Sequence, residues 1–183
     1  MELNKLLVVH DPTRDEQPAL DRAAVIAAEI GASLHLFGCI HGDISGVDRE
    51  AEEVKRRLGE HRKKLDACLA PIAATGVDTE SEVEWDKDWY RAVVRAAARN
   101  HADMVFKSSF KHSSSQRILK PTSDWILIRE CLCPVLLVKN TAPPDVPRIL
   151  AGIDISVRTE PYEKLNEHIL EFSRRLVESE TAE

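Results

Sequence analysis

Basic excess, long apolar runs, paired-cysteine motifs and glycine-rich loops are all scarce in this chain, and each scarcity removes a class of function. The 183 residues hold 25 Lys and Arg against 31 Asp and Glu, a net charge of −6. A nucleic-acid binder ordinarily shows a basic face, and here the cations alternate with carboxylates along presumed helices, so no nucleic-acid partner is expected. No segment approaches the roughly 20 apolar residues that a membrane-spanning helix needs. The first apolar run is short and lies between Lys5 and Asp11, so it does not read as a signal peptide and no membrane partner is expected. The four cysteines, at positions 39, 68, 131 and 133, form no C-x2-C pair, which excludes a zinc ribbon. Cys131 and Cys133 are one residue apart, too close for an ordinary structural disulfide, so all four read as reduced thiols of a cytoplasmic protein. Glycine is sparse, 7 in all, and no G-x-x-x-x-G-K-[ST] phosphate loop, H-E-x-x-H or nucleophile elbow exists. Helical carboxylates such as Glu29 and Glu130 show no pairing suited to acid–base work. No catalytic residues and no metal ligands are therefore assigned, and the chain does not read as an enzyme.

What is present is an alternation of apolar strands and amphipathic helices. Lys5–His10 (K-L-L-V-V-H) is a near-continuous apolar run, as in a strand covered on both faces. Pro18–Ile30 has helical spacing, with Pro18 suited to a first turn and Gly31 to the stop. Ser33–Ile40 reads as a second strand. A long charged helix follows from about Asp48 to Ala74, with Val54, Leu58, Leu65, Leu69 and Ile72 as its apolar stripe. Val77–Trp85 alternates, as an edge strand would, and Asp88–Asn100 is a helix with Tyr90, Val93, Val94 and Ala97 inward. Met104–Phe106, a helix starting near Thr122, and Pro134–Val138 complete an alternation of five strands and four helices. The expected fold class is α/β, an open parallel sheet with right-handed crossovers and helices on both faces.

The stretch from Ala102 to Lys139 organises the rest. A loop leaves the carboxyl end of a strand and enters a helix N-terminus, the place where open α/β sheets bind ligands and where free N–H groups favour an anion. Its last strand, Cys133-Pro134-Val135-Leu136-Leu137-Val138, resembles the C-P-V-L-[LV]-V ending of universal stress protein domains. In that family the preceding loop reads G-x2-G-x9-G-[S/T]. Counted back from Pro134, the glycines fall on Ser108, Lys111 and Pro121 and the Ser/Thr on Thr122, so all three glycines are replaced. Glycines let a backbone approach a polyphosphate closely. Pro121 has no N–H to donate. The P-T-x-D-W sequence at Pro121–Trp125 is similar to that of the tandem E-type branch, whose loop is likewise degenerate.

The resemblance covers roughly residues 4 to 140. It implies an adenine-nucleotide alpha-hydrolase-like sheet of order 3-2-1-4-5, a role in tolerance of oxidative, starvation or DNA-damaging stress, and a homodimer through the last strand. It also implies a nucleotide pocket on Asp11, Ser108, Lys111, Pro121 and Thr122, with the Asp after strand one at the base. Because the loop is degenerate, no cofactor is expected and ATP is disfavoured. Nucleotide binding, with weak ATP hydrolysis as its only enzymatic form, and carriage of an apolar small ligand are the alternatives. Against the pocket stand plainer readings: Asp11 as a turn former, Thr122 and Ser123 as helix caps, and Lys107, Lys111, Lys120 and His112 as solvated loop cations. Trp85, Trp89 and Trp125 would line an apolar pocket or anchor a core or interface. His35, Cys39 and His41 share strand parity but span too far for one metal ion.

The expected organisation is a domain at 1–140, a proline-rich linker at 141–147 (Pro143, Pro144, Pro147), and at 148–183 the truncated start of a second repeat. Arg148–Ser156 resembles the first strand, with Asp154 matching Asp11, and Tyr162–Glu178 resembles the first helix, with Leu165, Ile169, Phe172 and Leu176 on one face. One strand and one helix cannot bury their apolar surface unaided, so packing on the first domain or on a second copy is expected.

Overall fold

The computed structural model describes residues 3–45, 49–109, 123–139 and 148–180. It divides into two compact units, residues 2–141 and residue 1 with 142–183.

In the larger unit, β1 (Lys5–Val9), β2 (Ser33–Ile40), β3 (Thr79–Trp85), β4 (Met104–Ser108) and β5 (Val135–Val138) form one sheet in the order β3-β2-β1-β4-β5. All four pairings are parallel. The central position of β1 explains its composition. It has neighbours on both edges and helices on both faces, so Leu6, Leu7, Val8 and Val9 are all buried. β3 at one edge alternates, with Ser81 as its one buried position.

The helices are α1 (Pro18–Ile30), α2 (Glu50–Ala73), α3 (Trp89–Arg99) and α4 (Ser123–Glu130). Pro18 opens α1, and Gly31 closes it at φ +70°, a conformation that L side chains seldom adopt. Side-chain parity then sorts the layers. Leu7, Val9, Phe37 and Val105 pack with Val93 and Ala96 of α3 and Leu127 of α4. The opposite parity, with Leu6, Val8, Leu36 and Phe106, serves α1 and α2, as right-handed crossovers require. On α2 the stripe is centred on His61, Leu65 and Leu69. On α3 the inward residues are Ala92, Val93, Ala96 and Ala97, with Tyr90 and Val94 only half-buried.

β4 extends two residues beyond the apolar run that announces it. Lys107 and Ser108 keep the ladder because β5 continues opposite them, Leu137 facing Lys107 and Val138 facing Ser108. Ser108 is thus the last strand residue rather than the first of a loop.

In the smaller unit, α5 (Glu160–Glu180) forms as expected, but residues 148–158 form no strand. A strand needs a neighbour about 4.8 Å away to take its N–H and C=O groups, and among the described residues of this unit there is no second strand. The turn at Asp154 nonetheless has the same hydrogen bonds as the turn at Asp11. Asp154 Oδ1 accepts from Ser156 N at 2.8 Å and Ser156 Oγ at 2.6 Å, as Asp11 Oδ1 accepts from Thr13 N at 2.9 Å and Thr13 Oγ1 at 2.6 Å. The Asn166 amide bonds both backbone groups of Asp154, at 3.2 and 2.7 Å, as the Gln17 amide does for Asp11, at 3.0 and 2.8 Å.

Candidate functional site

The order of strands reverses between β1 and β4, which places the carboxyl ends of these two strands side by side, Val9 opposite Lys107. In an open α/β sheet the crevice outside such a switch point is where ligands bind. Asp11 and Ser108 both lie there. Lys111, Pro121 and Thr122 lie outside the described residues, as do His112 and Lys120.

Asp11 organises its own loop. Its carboxylate closes the turn with Thr13, and its backbone N–H and C=O are both taken by Gln17. Gln17 also donates to Arg14 O at 2.8 Å and is buried. This is the turn-forming role, and Gln17, which the sequence reading passed over, is the residue that locks it. Its position just before Pro18 was the available signal.

Ser108 is buried, and its Oγ accepts from Ala19 N at 3.1 Å. Pro18 occupies the first position of α1 and has no N–H, and Gln17 provides no side-chain cap. The β4 hydroxyl therefore caps α1 from across the sheet, taking a donor that a capping residue would normally satisfy. Ser108→Ala is expected to lower the unfolding free energy by about 1 kcal/mol, because Ala19 N–H is left without a partner. Urea melts of the two proteins with equal midpoints would remove this role.

Lys107 points to the other face. Its Nζ is 2.9 Å from Asp124 Oδ1, donates to Ser108 O at 2.9 Å, and sits 5.2 Å from the centre of the Trp89 ring. Asp124 is in the first turn of α4, where a carboxylate meets the positive end of the helix dipole. An internal anion and its counter-cation thus lie where an incoming phosphate would be drawn. The open pocket of about 440 Å³ beside the β1–α1 loop is lined by Asp15, Glu16, Gln17, Leu20, Asp21 and Cys68. Three carboxylates on its wall oppose a polyanion.

Beneath the loop, His10 and His61 meet edge to face, 5.1 Å between ring centres. Both are buried, and among the described residues His10 Nδ1 and His61 Nε2 have no hydrogen-bond partner. Burial, reinforced by His61, lowers the His10 pKa to about 4, and burial with nearby Lys64 lowers that of His61. Neither was singled out from sequence, although position 61 lies on the regular spacing between Leu58 and Leu65.

The other candidates are held apart. His35 bonds Glu80 and Glu82 at 3.3 and 3.1 Å, Cys39 Sγ donates to Asp86 O at 3.3 Å, and His41 lies against Trp85. Among the described residues no group of three His, Cys, Asp or Glu is placed to hold a metal ion. Trp85 stacks with Arg57, Trp89 with Tyr90, and Trp125 is 62% exposed, so the three tryptophans have separate surroundings.

The five-stranded 3-2-1-4-5 parallel sheet is the architecture of a known family, and the model of the universal stress protein family matches residues 2–139. The chain belongs to the universal stress protein family. Within it the chain falls in the E-type branch: it is 28% identical over 178 residues to universal stress protein E of Photorhabdus laumondii, covering 93% of this chain and 56% of that one. The chain spans about half the length of the curated relatives it matches. A universal stress protein family member from Burkholderia pseudomallei shares the fold at TM-score 0.56 and 24% identity, covering 76% of this chain and 98% of that one. A universal stress protein solved in complex with cAMP aligns at TM-score 0.57 and 21% identity, covering 78% of this chain and 100% of that one. Family membership supports a role in the stress response. No helix among the described residues is long and apolar enough to cross a membrane.

Proposed function

We propose that this chain is a cytoplasmic stress-response protein that works by binding and dimerisation rather than catalysis, without the ATP binding usual for its fold. The Lys107–Asp124 pair at the start of α4 carries the reading: the cation and helix end that would receive a phosphate already serve each other. The withdrawal of Ser108 into the α1 cap, the use of the Asp11 carboxylate in its own turn, and the acidic wall of the neighbouring pocket support it further. The partner is a second copy of the chain, joined at the free edge of β5, through the 148–183 half-repeat, or both. The exposed side chains of Leu136 in β5 and of Ile149, Leu150 and Ile155 in the half-repeat are apolar surface of the kind such an interface covers.

The relative solved with cAMP gives the second reading, a nucleotide-binding member. Calorimetry with ATP, ADP, AMP and cAMP separates the two. The expected result is no saturable heat at a Kd tighter than about 100 µM, about 5.5 kcal/mol of binding. A saturable isotherm in the micromolar range would overturn the first reading. The glycine substitutions Ser108→Gly, Lys111→Gly and Pro121→Gly, made together, are expected to raise ATP affinity if the loop alone closed the site. An intact fold with no gain would instead assign the closure to the Lys107–Asp124 pair. Native mass spectrometry should show a dimer without an adduct; a monomer would remove the assembly role.

A further inference from the structure

The turn between α4 and β5 brings together two thiols that the proposed binding role does not use. Cys131 follows the last residue of α4 and its N–H still bonds Leu127 O at 2.9 Å, while Cys133 precedes the proline that enters β5. Their sulfurs are 3.6 Å apart, within reach of an S–H···S hydrogen bond. Both are half-buried at the margin of the α3–α4 core. Cys133 lines a surface pocket of about 210 Å³ with Ala97, Ala98, His101, Ala102 and Leu132, and the Leu132 side chain between the two cysteines is 89% exposed. The pocket opens on Cys133, and the half-buried Cys131 lies 3.6 Å from it across the S···S contact.

The two thiols are not equivalent. Either sulfur can donate across this contact; the Cys133 thiol and the backbone N–H groups of Leu132 and Cys133 favour the Cys131 thiolate and draw its pKa down to about 6, whereas the same contact and burial raise the Cys133 thiol. The pair behaves as one unit that gives up its first proton easily and its second with difficulty. The other two cysteines contrast with it. Burial pushes Cys39 up to about 11 and also raises Cys68.

We propose that Cys131 and Cys133 form a thiol redox site in which Cys131 is the nucleophile toward a small hydroperoxide and Cys133 the resolving thiol. The Cys131 thiolate attacks the terminal oxygen of the peroxide. The O–O bond breaks, the remaining oxygen leaves as alcohol or water after taking a proton, and Cys131 becomes a sulfenic acid. Cys133 sulfur then attacks Cys131 sulfur. The S–O bond breaks, an S–S bond forms, and the oxygen leaves as water with the Cys133 proton. Two thiols are oxidised by two electrons and one peroxide is reduced. The sulfurs must approach from 3.6 Å to about 2.05 Å, which rotation in a turn outside helix and strand allows. The short spacing that argues against a permanent structural bond argues for a labile one, since strained disulfides are the readily reduced ones.

The test uses the whole chain, reduced and freed of reductant, with one equivalent of hydrogen peroxide at pH 7. The intact mass should fall by two hydrogens, and the tryptic peptide Glu130–Lys139, which contains both cysteines, should carry the loss. Cys133→Ser should trap a sulfenic acid at Cys131, seen as a dimedone adduct, and Cys131→Ser should show neither product. Iodoacetamide labelling of the wild-type chain should inflect near pH 6 at Cys131 and, at pH 7, proceed at least about tenfold faster there than at Cys39 or Cys68. Equal labelling of all four thiols, disulfide-linked dimers in place of the internal bond, or an unchanged Glu130–Lys139 peptide would each overturn the proposal. The labelling profile needs no variant and so holds whether or not the serine variants fold.

Discussion

Gly38→Ala lowers the unfolding free energy by about 1–2 kcal/mol. Gly38 lies on β2 directly beneath α2, and a methyl group placed there would sit 2.9 Å from both Cδ2 and Nε2 of His61 and 3.2 Å from Cδ1 of Leu65. Overpacking of this kind costs about 1–3 kcal/mol. Alanine recovers part of it, because glycine in a strand gives up about 0.5–1 kcal/mol of conformational entropy. The balance changes sign when the obstacle is removed. In a His61→Ala background, Gly38→Ala is expected to be neutral or stabilising by about 0.5 kcal/mol, so a double-mutant cycle should give a coupling above about 1 kcal/mol. Additive effects of the two substitutions in urea melts would show that His61 does not set the closeness of α2 to β2. The point matters for function, since this closeness is what buries His10 and His61 under the loop that holds Asp11.

Most of the fold is legible because local signals agree with one another. The apolar run of β1 requires cover on both faces, the alternation of β3 requires an edge, and Pro18 and Gly31 punctuate α1; the structure has each of these. The strand order came instead from the resemblance carried by Cys133–Val138, and it holds. What sequence spacing does not contain is the pairing of distant residues. By sequence Ser108 falls in the loop after the apolar run, yet it is a strand residue whose hydroxyl caps a helix 89 positions earlier in the chain. By sequence Lys107 reads as a solvated loop cation, but in the structure it ends a strand and Asp124 holds it. Gln17 was missed because an amide that closes a loop around Asp11 has no periodic signature. His61 was missed for a different reason: its spacing on α2 was correct for the core, but its residue type was not one expected there. Arg148–Ser156 shows the converse. Its apolar pattern suits a strand, but a strand exists only with a neighbour to pair with, and what it shares with the segment after β1 is the turn at Asp154.

Acid should loosen the α2 face before it titrates the surface carboxylates. His10 is neutral in the folded protein down to about pH 4, but ionises near pH 6.5 once unfolded. Between those values the unfolded chain binds more protons than the folded one, so stability rises with pH across the window and falls as pH is lowered through it. Burial is the main cause of the shift; His61 and Lys64 across the contact act in the same direction and Asp11 opposes them. Lowering the pH from 7 to 4.5 should therefore cost about 2–3 kcal/mol from His10, with a further contribution of the same sign from His61. Glu53, Asp43, Asp86 and Glu82 are all shifted down, by hydrogen bonds and nearby cations that outweigh the burial of Glu82. Their contribution is lost only as pH falls below the ordinary carboxylate range, near 4. The interval from pH 6.5 to 4.5 thus belongs to the two histidines. Urea melts at pH 7 and pH 5 should show the loss in the wild-type chain and a shallower dependence in His10→Leu, where one buried imidazole no longer has to be kept neutral. Equal stability of the wild-type chain at the two pH values would mean that His10 accepts a proton in place, and that the orphaned Nδ1 beneath the Asp11 loop is not sealed from water.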